Sequence, residues 1–440
     1  MGKDIKKFDL PPIQTNPHSK GSSYLREIQD ELNVQIPDED LNAESSLNSE
    51  QYNAYTSVLS RIQGNKSRIF FIDGPGGTGK TFLYHALLAK VRSEGMIALA
   101  TATSGVVAVI MHGGRTAHSR FKIKIPTTKS SMCSISKQDG TSKLIKIAKL
   151  IIWDEAPMAK RVAIETLDRT LRDIMDQDEP FGGKVIVFGG DFRQVLPVVP
   201  HTTRSQTVRE SLVSSYLWSK MEKLKLSKNM RARTDSTFSE FLLRVGNDDE
   251  PTVADDLIAL PTSILIKNKS DDLPEDCLIN ALFPSLDENF KSIDYMKDQA
   301  ILATKNEYVD MLNDRIIKQF SGEEKEFYSF DEAVDDTNHY YQPEFLNTLL
   351  PNGLPPHKLV LKKHYPIILL RNLDPTNGLC NGTRMVCQDF NCNIIHAKIT
   401  MGQKQGKKFS CQEYHYLQQK MKGSCSSSNE SNFQYGYVLQ

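Results

Sequence analysis

A chain of 440 residues has room for two to four packed units and an ample core. Hydrophobic residues at 39% and charged residues at 25% form an ordinary globular composition, which excludes a disordered or membrane-embedded class. The 54 basic and 54 acidic residues cancel, so net charge names no partner, and seven scattered cysteines with no C-x-x-C pair point away from a disulfide framework or a zinc site.

Residues 1–46 read as a mobile leader: they are polar, carry prolines at 11, 12, 17 and 37, and hold one short helix-like piece from Tyr24 to Leu32. The opening "MGKDIKKFDLPPIQTNPHSK" lacks the apolar stretch of a secretory signal, and no run approaches a membrane span. Cytosol, nucleus and organelle matrix all stay open. A helix begins in "LNSEQYNAYTSVLSRI" with Asn48 or Ser49 as its N-cap. Four nearly continuous apolar runs follow, "RIFFID", "IALATA", "KLIIWD" and "KVIVFGGD", separated by helical stretches. That alternation predicts an α/β domain over 47–234, a parallel sheet buried on both faces.

"GPGGTGKT", Gly74 to Thr81, satisfies every fixed position of a P-loop, follows the first strand and opens a helix. Backbone N–H groups must wrap phosphates closely here, where a Cβ would intrude, which explains the glycines. Gly74, Pro75, Gly76, Gly77, Thr78 and Gly79 therefore form the nucleotide cradle. Lys80 should reach the β- and γ-phosphates of ATP, and Thr81 should supply a hydroxyl to Mg²⁺.

A P-loop needs a carboxylate on a neighbouring strand, and "KLIIWDEAPM" supplies Asp154 for the Mg²⁺ and Glu155 to polarise the attacking water. The next strand ends in "GGDFRQ", whose Asp191, Arg193 and Gln194 should share the same sheet edge. Gln194 is the candidate γ-phosphate sensor, although a plain turn with Gln194 in solvent fits the same letters. Between Arg115 and Lys149 nine Lys or Arg face one acid, Asp139, and Phe121 sits among them. This is either a solvated surface or a track for a nucleic-acid strand, with Lys122 and Lys124 as phosphate contacts.

Further on, 235–298 is an acidic connecting segment, and "AILATKNEYVDMLNDRIIKQF" restarts a strand-then-helix pattern. Residues 299–372 then read as a partial second domain, 373–408 as a small β subdomain and 409–440 as an atypical tail.

Taken in order, "GPGGTGKT", "TSGVVAVIMHGGRTAHSRFKI", "IIWDEAPM", "GGDFRQVLPVV" and "LKLSKNMR" resemble the PIF-one family of superfamily 1B DNA helicases, in the form carried by Helitron transposons, over about Leu47 to Lys408. The resemblance implies a P-loop NTPase fold: a RecA-like domain, then a second RecA-like domain with a small β insertion, here incomplete. It implies an ATP-dependent helicase moving 5′ to 3′ on single-stranded DNA and acting at duplex junctions. DNA repair, recombination and telomere maintenance in the nucleus come with it. By the same resemblance Gln51 reads the adenine and Arg231 reaches the γ-phosphate. Ser104, Gly105, Thr116, His118 and Phe121 track the DNA, although His118 fits a hydrogen-bonded structural role equally well.

After Lys408 the family's "TINKAQGQT"-like and "VALSR"-like segments are not found, and "FSCQEYHYLQQKMKGSCSSSNESNFQYGYVLQ" departs from its pattern. An altered gene model, a frameshift or a transposon remnant is the reading. It predicts a second domain short of central strands. The alternative to a working helicase is then a remnant that binds ATP and single-stranded DNA without processive unwinding. A P-loop ATPase acting on proteins is the third class, and "GGRTAHSRF" argues against it.

Overall fold

All four apolar runs become strands of one sheet, because β-branched and aromatic side chains suit a pleated surface covered on both faces. The computed structural model describes residues 22–199, 202–266, 273–297, 299–303, 305–328, 332–333, 342–348, 357–370, 373–374, 377–379, 382–391, 394–401, 404–412 and 433–434. The chain divides into two units, Met1–Glu250 and Pro251–Gln440.

In the first unit the strands are β1 (Arg68–Asp73), β2 (Ala98–Ala102), β3 (Arg115–Thr116), β4 (Leu150–Asp154), β5 (Val185–Gly190) and β6 (Glu222–Lys225). Their order across the sheet is β3-β2-β4-β5-β1-β6, and every pairing is parallel. The apolar pattern does not mark β3, which is two residues long, or β6, whose "EKLK" alternates half-buried and exposed as an edge strand does.

The helices are α1 (Ser22–Leu32), α2 (Asp38–Leu41), α3 (Ser49–Gln63), α4 (Lys80–Ser93), α5 (Gly105–Ile110), α6 (Ala117–Arg120), α7 (Gly140–Ile147), α8 (Arg161–Met175), α9 (Arg204–Glu210) and α10 (Ser236–Asn247). Strand side chains alternate between two cores. Phe70, Ile72, Ile152 and Val187 pack with Val58 of α3 and Leu83 and Leu87 of α4. Phe71, Trp153, Ile186 and Phe188 pack with Leu144 of α7 and Leu167 and Leu171 of α8 on the opposite face. Asn48, rather than Ser49, caps α3. Its Oδ1 accepts from the Gln51 N–H at 2.9 Å, and Gln51 Oε1 accepts from the Asn48 N–H at 3.0 Å.

The mobile leader is a misreading for residues 22–46. Ile28 packs on the α8-side core, Ala43 lies in the α4-side core and Tyr55 Oη donates to Glu44 at 3.1 Å. The firmest anchor is Glu31, 5% exposed, which pairs with Arg120 and lies 3.9 Å from Arg92. Burial lowers both arginines, Arg92 to about 10 against the opposing pull of Glu31. Composition could not show this, because the Glu31 contacts join residues some 60 to 90 positions apart. Residues 1–21 lie outside the described residues.

In the second unit the helix expected after "AILATK" is present at Asn306–Gln319, but residues 301–303 form no strand and Leu302 is 92% exposed. Among the described residues no neighbouring strand takes up that run. Strands Pro366–Ile368, Arg384–Asn391, Ile394–Ile399 and Lys408–Gln412 form an antiparallel sheet. The first residues expected in the tail therefore belong to the fold: Phe409 to Gln412 pair with Ile394 to Ala397, and Phe409 packs on the core of this unit. Residues 413–432 and 435–440 of that tail lie outside the described residues. The acidic segment contains α10 and, further on, a helix Pro274–Leu282.

Replacing Glu31 by Ala leaves two buried guanidinium groups without their carboxylate. The first unit should lose about 3–5 kcal/mol in urea unfolding, as breaking one side of a buried ion pair does. A loss under about 1 kcal/mol contradicts this account of how the N-terminal segment is held.

Candidate functional site

Because the strands are parallel, their carboxyl ends share one sheet edge, and the expected site residues of the first unit follow those ends or border them. Between Asp73 of β1 and Lys80 of α4, six residues must turn the chain. Gly77 and Gly79 take φ of 90° and 79°, backbone that a residue with a Cβ resists. Space adds to the constraint: a Cβ on Gly77 falls 2.6 Å from Asn229 Oδ1, and one on Gly79 collides with Gln51 Nε2.

The loop is clamped from two sides. On one, Gln51 is 1% exposed and its Nε2 donates to the Thr78 carbonyl at 3.0 Å while its Oε1 accepts from Asn48. With both ends of its amide engaged and almost no exposure, Gln51 holds the loop against α3. On the other side, the segment after β6 crosses the loop. The Leu226 N–H donates to Asp73 O at 2.8 Å and the Met230 N–H to Gly77 O at 2.7 Å. Asn229 Oδ1 accepts from the N–H groups of Arg231 and Ala232 at 2.9 and 3.0 Å. Glu50 fastens this segment to α3 by accepting from Ser227 Oγ and the Ser227 N–H, bonds that hold its carboxyl below the usual range. Arg231 itself is exposed, with its Cβ 3.1 Å from the position a Cβ on Gly77 would take.

Lys80 is 8% exposed, and its Nζ donates to the Gly74 carbonyl at 2.5 Å, inside the loop. Thr81 follows it in the first turn of α4. Asp154 ends β4 and is 2% exposed, and its Oδ1 accepts from the Glu155 N–H at 2.9 Å. Burial, against the Glu155 N–H and the Lys80 charge, pushes Asp154 above the usual carboxylate range. Glu155 is raised too, by burial first and then by the charge of Asp154, with Lys80 opposing. It occupies left-handed backbone at φ 52°, a strained conformation for a residue with a side chain, and its buried Oε2 makes no hydrogen bond. Thr103 holds that strain in place: its Oγ1 donates to the Glu155 carbonyl at 2.6 Å and accepts from Trp153 Nε1 at 3.0 Å. Tyr84 of α4 is wholly buried beside this pair, and burial and the Asp154 charge drive its phenol well up.

Asp191, 4% exposed, accepts from the Arg193 N–H and from Arg193 Nη1, each at 3.1 Å. Gln194 is exposed, 3.8 Å from where a Cβ on Gly76 would lie, so it stands at the loop rather than away from it. An open cleft of about 930 Å³ runs from Pro75, Gly76 and Gln194 to Asn229 and α10. The fit to a nucleotide with a divalent cation is good: a cradle that side chains would fill, buried carboxylates whose charge lacks full compensation, and an orphaned Glu155 oxygen facing no donor.

The expected DNA-tracking residues divide. Ser104 follows β2 and Thr116 ends β3; they cap α5 and α6, accepting from the N–H groups of Val107 and Ser119 at 3.4 Å. Gly105 and His118 are half-buried, and burial lowers the His118 imidazole. Phe121 is corrected: it is 0% exposed and packs 6.3 Å from Trp153, in the core and not at a surface where bases could stack. The basic stretch is also less free than its letters imply. Arg120 is buried on Glu31, Lys122 lies 3.6 Å from Asp139, and Lys137 lies 3.1 Å from Asp173, while Lys124 and Lys129 are exposed. Sequence reading missed Thr103, Tyr84, Glu50 and Asn229. Asn229 alone had a local signal, a turn-forming residue inside "LSKNMR".

Two family models match this chain: PIF1-like helicase over residues 46–256, and DNA helicase Pif1, 2B domain, over residues 344–390. Among curated proteins, ATP-dependent DNA helicase PIF1 of Danio rerio is 27% identical over 339 residues, 76% of this chain and 46% of that protein. The Homo sapiens protein of the same name is 26% identical over 330 residues, 74% of this chain and 44% of its own length. The chain thus spans about half the length of the curated relatives it matches. A crystal structure of Pif1 helicase from Bacteroides in complex with ADP-AlF3 and ssDNA superposes with a TM-score of 0.56 at 19% identity, covering 88% of this chain and 80% of that one. A structure of two Pif1 helicases at forked dsDNA gives a TM-score of 0.59 at 19% identity, covering 89% and 80%.

A carboxyl raised in the folded state binds its proton more tightly there than in the unfolded chain. Its ionisation therefore subtracts stability as pH rises through and above the unfolded carboxylate range. Asp154→Asn should accordingly raise the thermal midpoint of the nucleotide-free protein at neutral pH, and the gain should vanish on acidification below that range. A lower midpoint at neutral pH contradicts the assignment of Asp154 as a strained buried charge.

Proposed function

The chain belongs to the PIF1-like helicase family, and from that premise we propose that it is an ATP-dependent DNA helicase moving 5′ to 3′ along single-stranded DNA toward duplex junctions. The observation that carries the reading is the meeting of a clamped phosphate loop with Asp154, Glu155 and Asp191 at one sheet edge. Nucleotide phosphates enter a loop whose backbone is already fixed from two sides, so little ordering is left for binding to do. Lys80 exchanges the Gly74 carbonyl for phosphate oxygens. Thr81 and Asp154 are the residues that would hold Mg²⁺, which when bound neutralises charge on the phosphates. Glu155, its backbone fixed by Thr103 and its carboxyl raised by burial, is suited to accept a proton from the attacking water at its free Oε2. Gln194 and Arg231, both exposed beside the loop, can follow the γ-phosphate.

Single-stranded DNA is assigned to the edge beyond β2 and β3, with Ser104, Gly105, Thr116 and His118 along it and Lys122 and Lys124 as phosphate contacts. Support comes from adjacency: Thr103, which holds Glu155, directly precedes Ser104, so movement at the strand track reaches the water-polarising residue through one peptide. A nuclear location with roles in repair, recombination and telomere maintenance accompanies this reading.

Lys80→Ala should lower ATP turnover by at least ~10²-fold, and Glu155→Gln by ~10²–10³-fold while nucleotide binding is kept. Both are read by phosphate release and fluorescent-nucleotide titration, and wild-type turnover in Lys80→Ala would defeat the site. A duplex with a 5′ single-stranded tail should be separated with ATP, and one with a 3′ tail should not. DNA and ATP binding without strand separation on either substrate would favour the non-processive reading instead.

DNA affinity should fall with salt, each neutralised phosphate of a single strand contributing a slope of about −0.7 in log–log form. Changing Lys122, Lys124 and Lys129 together to Ala should flatten that slope by about 2. An unchanged slope moves the track elsewhere on the unit.

A further inference from the structure

We propose that Asp40, His85 and His112 form a binding site for a transition-metal dication of the zinc class, joining the N-terminal segment to the phosphate-loop helix. The three residues come from separate parts of the first unit: Asp40 from α2, His85 from the middle of α4, and His112 from the turn after α5. Their ligand atoms nevertheless lie within 4.8 Å of one another. His85 Nδ1 is 3.2 Å from Asp40 Oδ1 and His112 Nε2 is 3.1 Å from Asp40 Oδ2. Ligands of a tetrahedral zinc ion with bonds of ~2.0–2.2 Å stand about 3.3–3.6 Å apart, so each histidine, facing a different oxygen of Asp40, stands slightly inside that spacing and needs only a small outward shift to reach it.

Several features favour a cation over a plain hydrogen-bonded cluster. Asp40 is 7% exposed, so its charge sits in a poorly hydrated place. The imidazole rings of His85 and His112 stand 5.3 Å apart and are tilted at 57° rather than stacked. His85 Nε2 is buried without a hydrogen-bond partner, so the ring's environment is not satisfied by the protein alone. The His112 backbone is fixed from outside the cluster, its carbonyl accepting from Arg92 Nη1 at 2.8 Å. Two imidazoles and one carboxylate select a borderline ion such as Zn²⁺ over Mg²⁺ or Ca²⁺, which take oxygen ligands. Three protein ligands leave a fourth position for water.

The site is separate from the phosphate loop, so its test is independent of ATP and DNA. The full chain, stripped with a chelator, is titrated with Co²⁺ by visible absorption and with Zn²⁺ against a chromophoric chelator in excess Mg²⁺. A single equivalent should bind with a nitrogen/oxygen ligand-field spectrum, and Zn²⁺ should displace it and raise the thermal midpoint. His85→Gln, His112→Gln and Asp40→Asn should each weaken binding at least ~10-fold. Should a variant not fold, carbethoxylation of the wild-type protein read by mass spectrometry decides, because Zn²⁺ should protect His85 and His112. No binding, a thiolate charge-transfer band that places the metal on cysteines, unchanged affinity in folded variants, or absent protection would each overturn the proposal.

Discussion

Six strands that run in one direction end on one edge, and the chemistry of the first unit follows from that constraint. Parallel pairing requires helices to carry the chain back, which covers both faces and leaves the carboxyl ends as the place where loops can gather. The phosphate loop after β1, the carboxylates after β4 and β5, the capped turns after β2 and β3 and the crossing segment after β6 are brought together for this reason. None of these segments needs to recognise the others in sequence. The sheet register does it for them.

What gathers there is held against local preference. Gly77 and Gly79 supply backbone that few residues adopt, and Glu155 adopts such backbone with a side chain attached. Burial raises Asp154, and burial together with the Asp154 charge raises Glu155, with Lys80 as the nearby cation and Thr103 as the fastening. Such arrangements persist where the surrounding core is large enough to over-determine them, and the two apolar clusters on either face of this sheet provide that. The same environment turns each carboxylate into a group that gains from a cation or a proton.

The N-terminal segment is part of this frame. Glu31 reaches the buried arginines of α4 and α6, and Asp40 reaches a histidine of α4 and another beyond α5. Helix α4 is thus gripped at its start by the phosphate loop and along its length by residues 31 and 40. A displacement of the helix on nucleotide binding is therefore opposed by buried charge as well as by apolar packing.

Sequence alone determined the parallel α/β class, the four central strands, the phosphate loop and the carboxylates Asp154 and Glu155. These depend on local rules: continuous apolar runs, glycine where a Cβ cannot go, and acids directly after a strand. It did not determine which side chains are free to act. Phe121 reads as an exposed aromatic among basic residues, yet it is core, because the end of α6 faces α8-side packing that no neighbouring letter reveals. Gln51 and Arg120 are likewise occupied by partners 27 and 89 positions away. The clamp by Asn229, the fastening by Thr103 and the meeting of Asp40, His85 and His112 are decisions of the tertiary structure alone. Each joins residues with no pattern between them, and only the packing of helices on a sheet brings them within bonding distance.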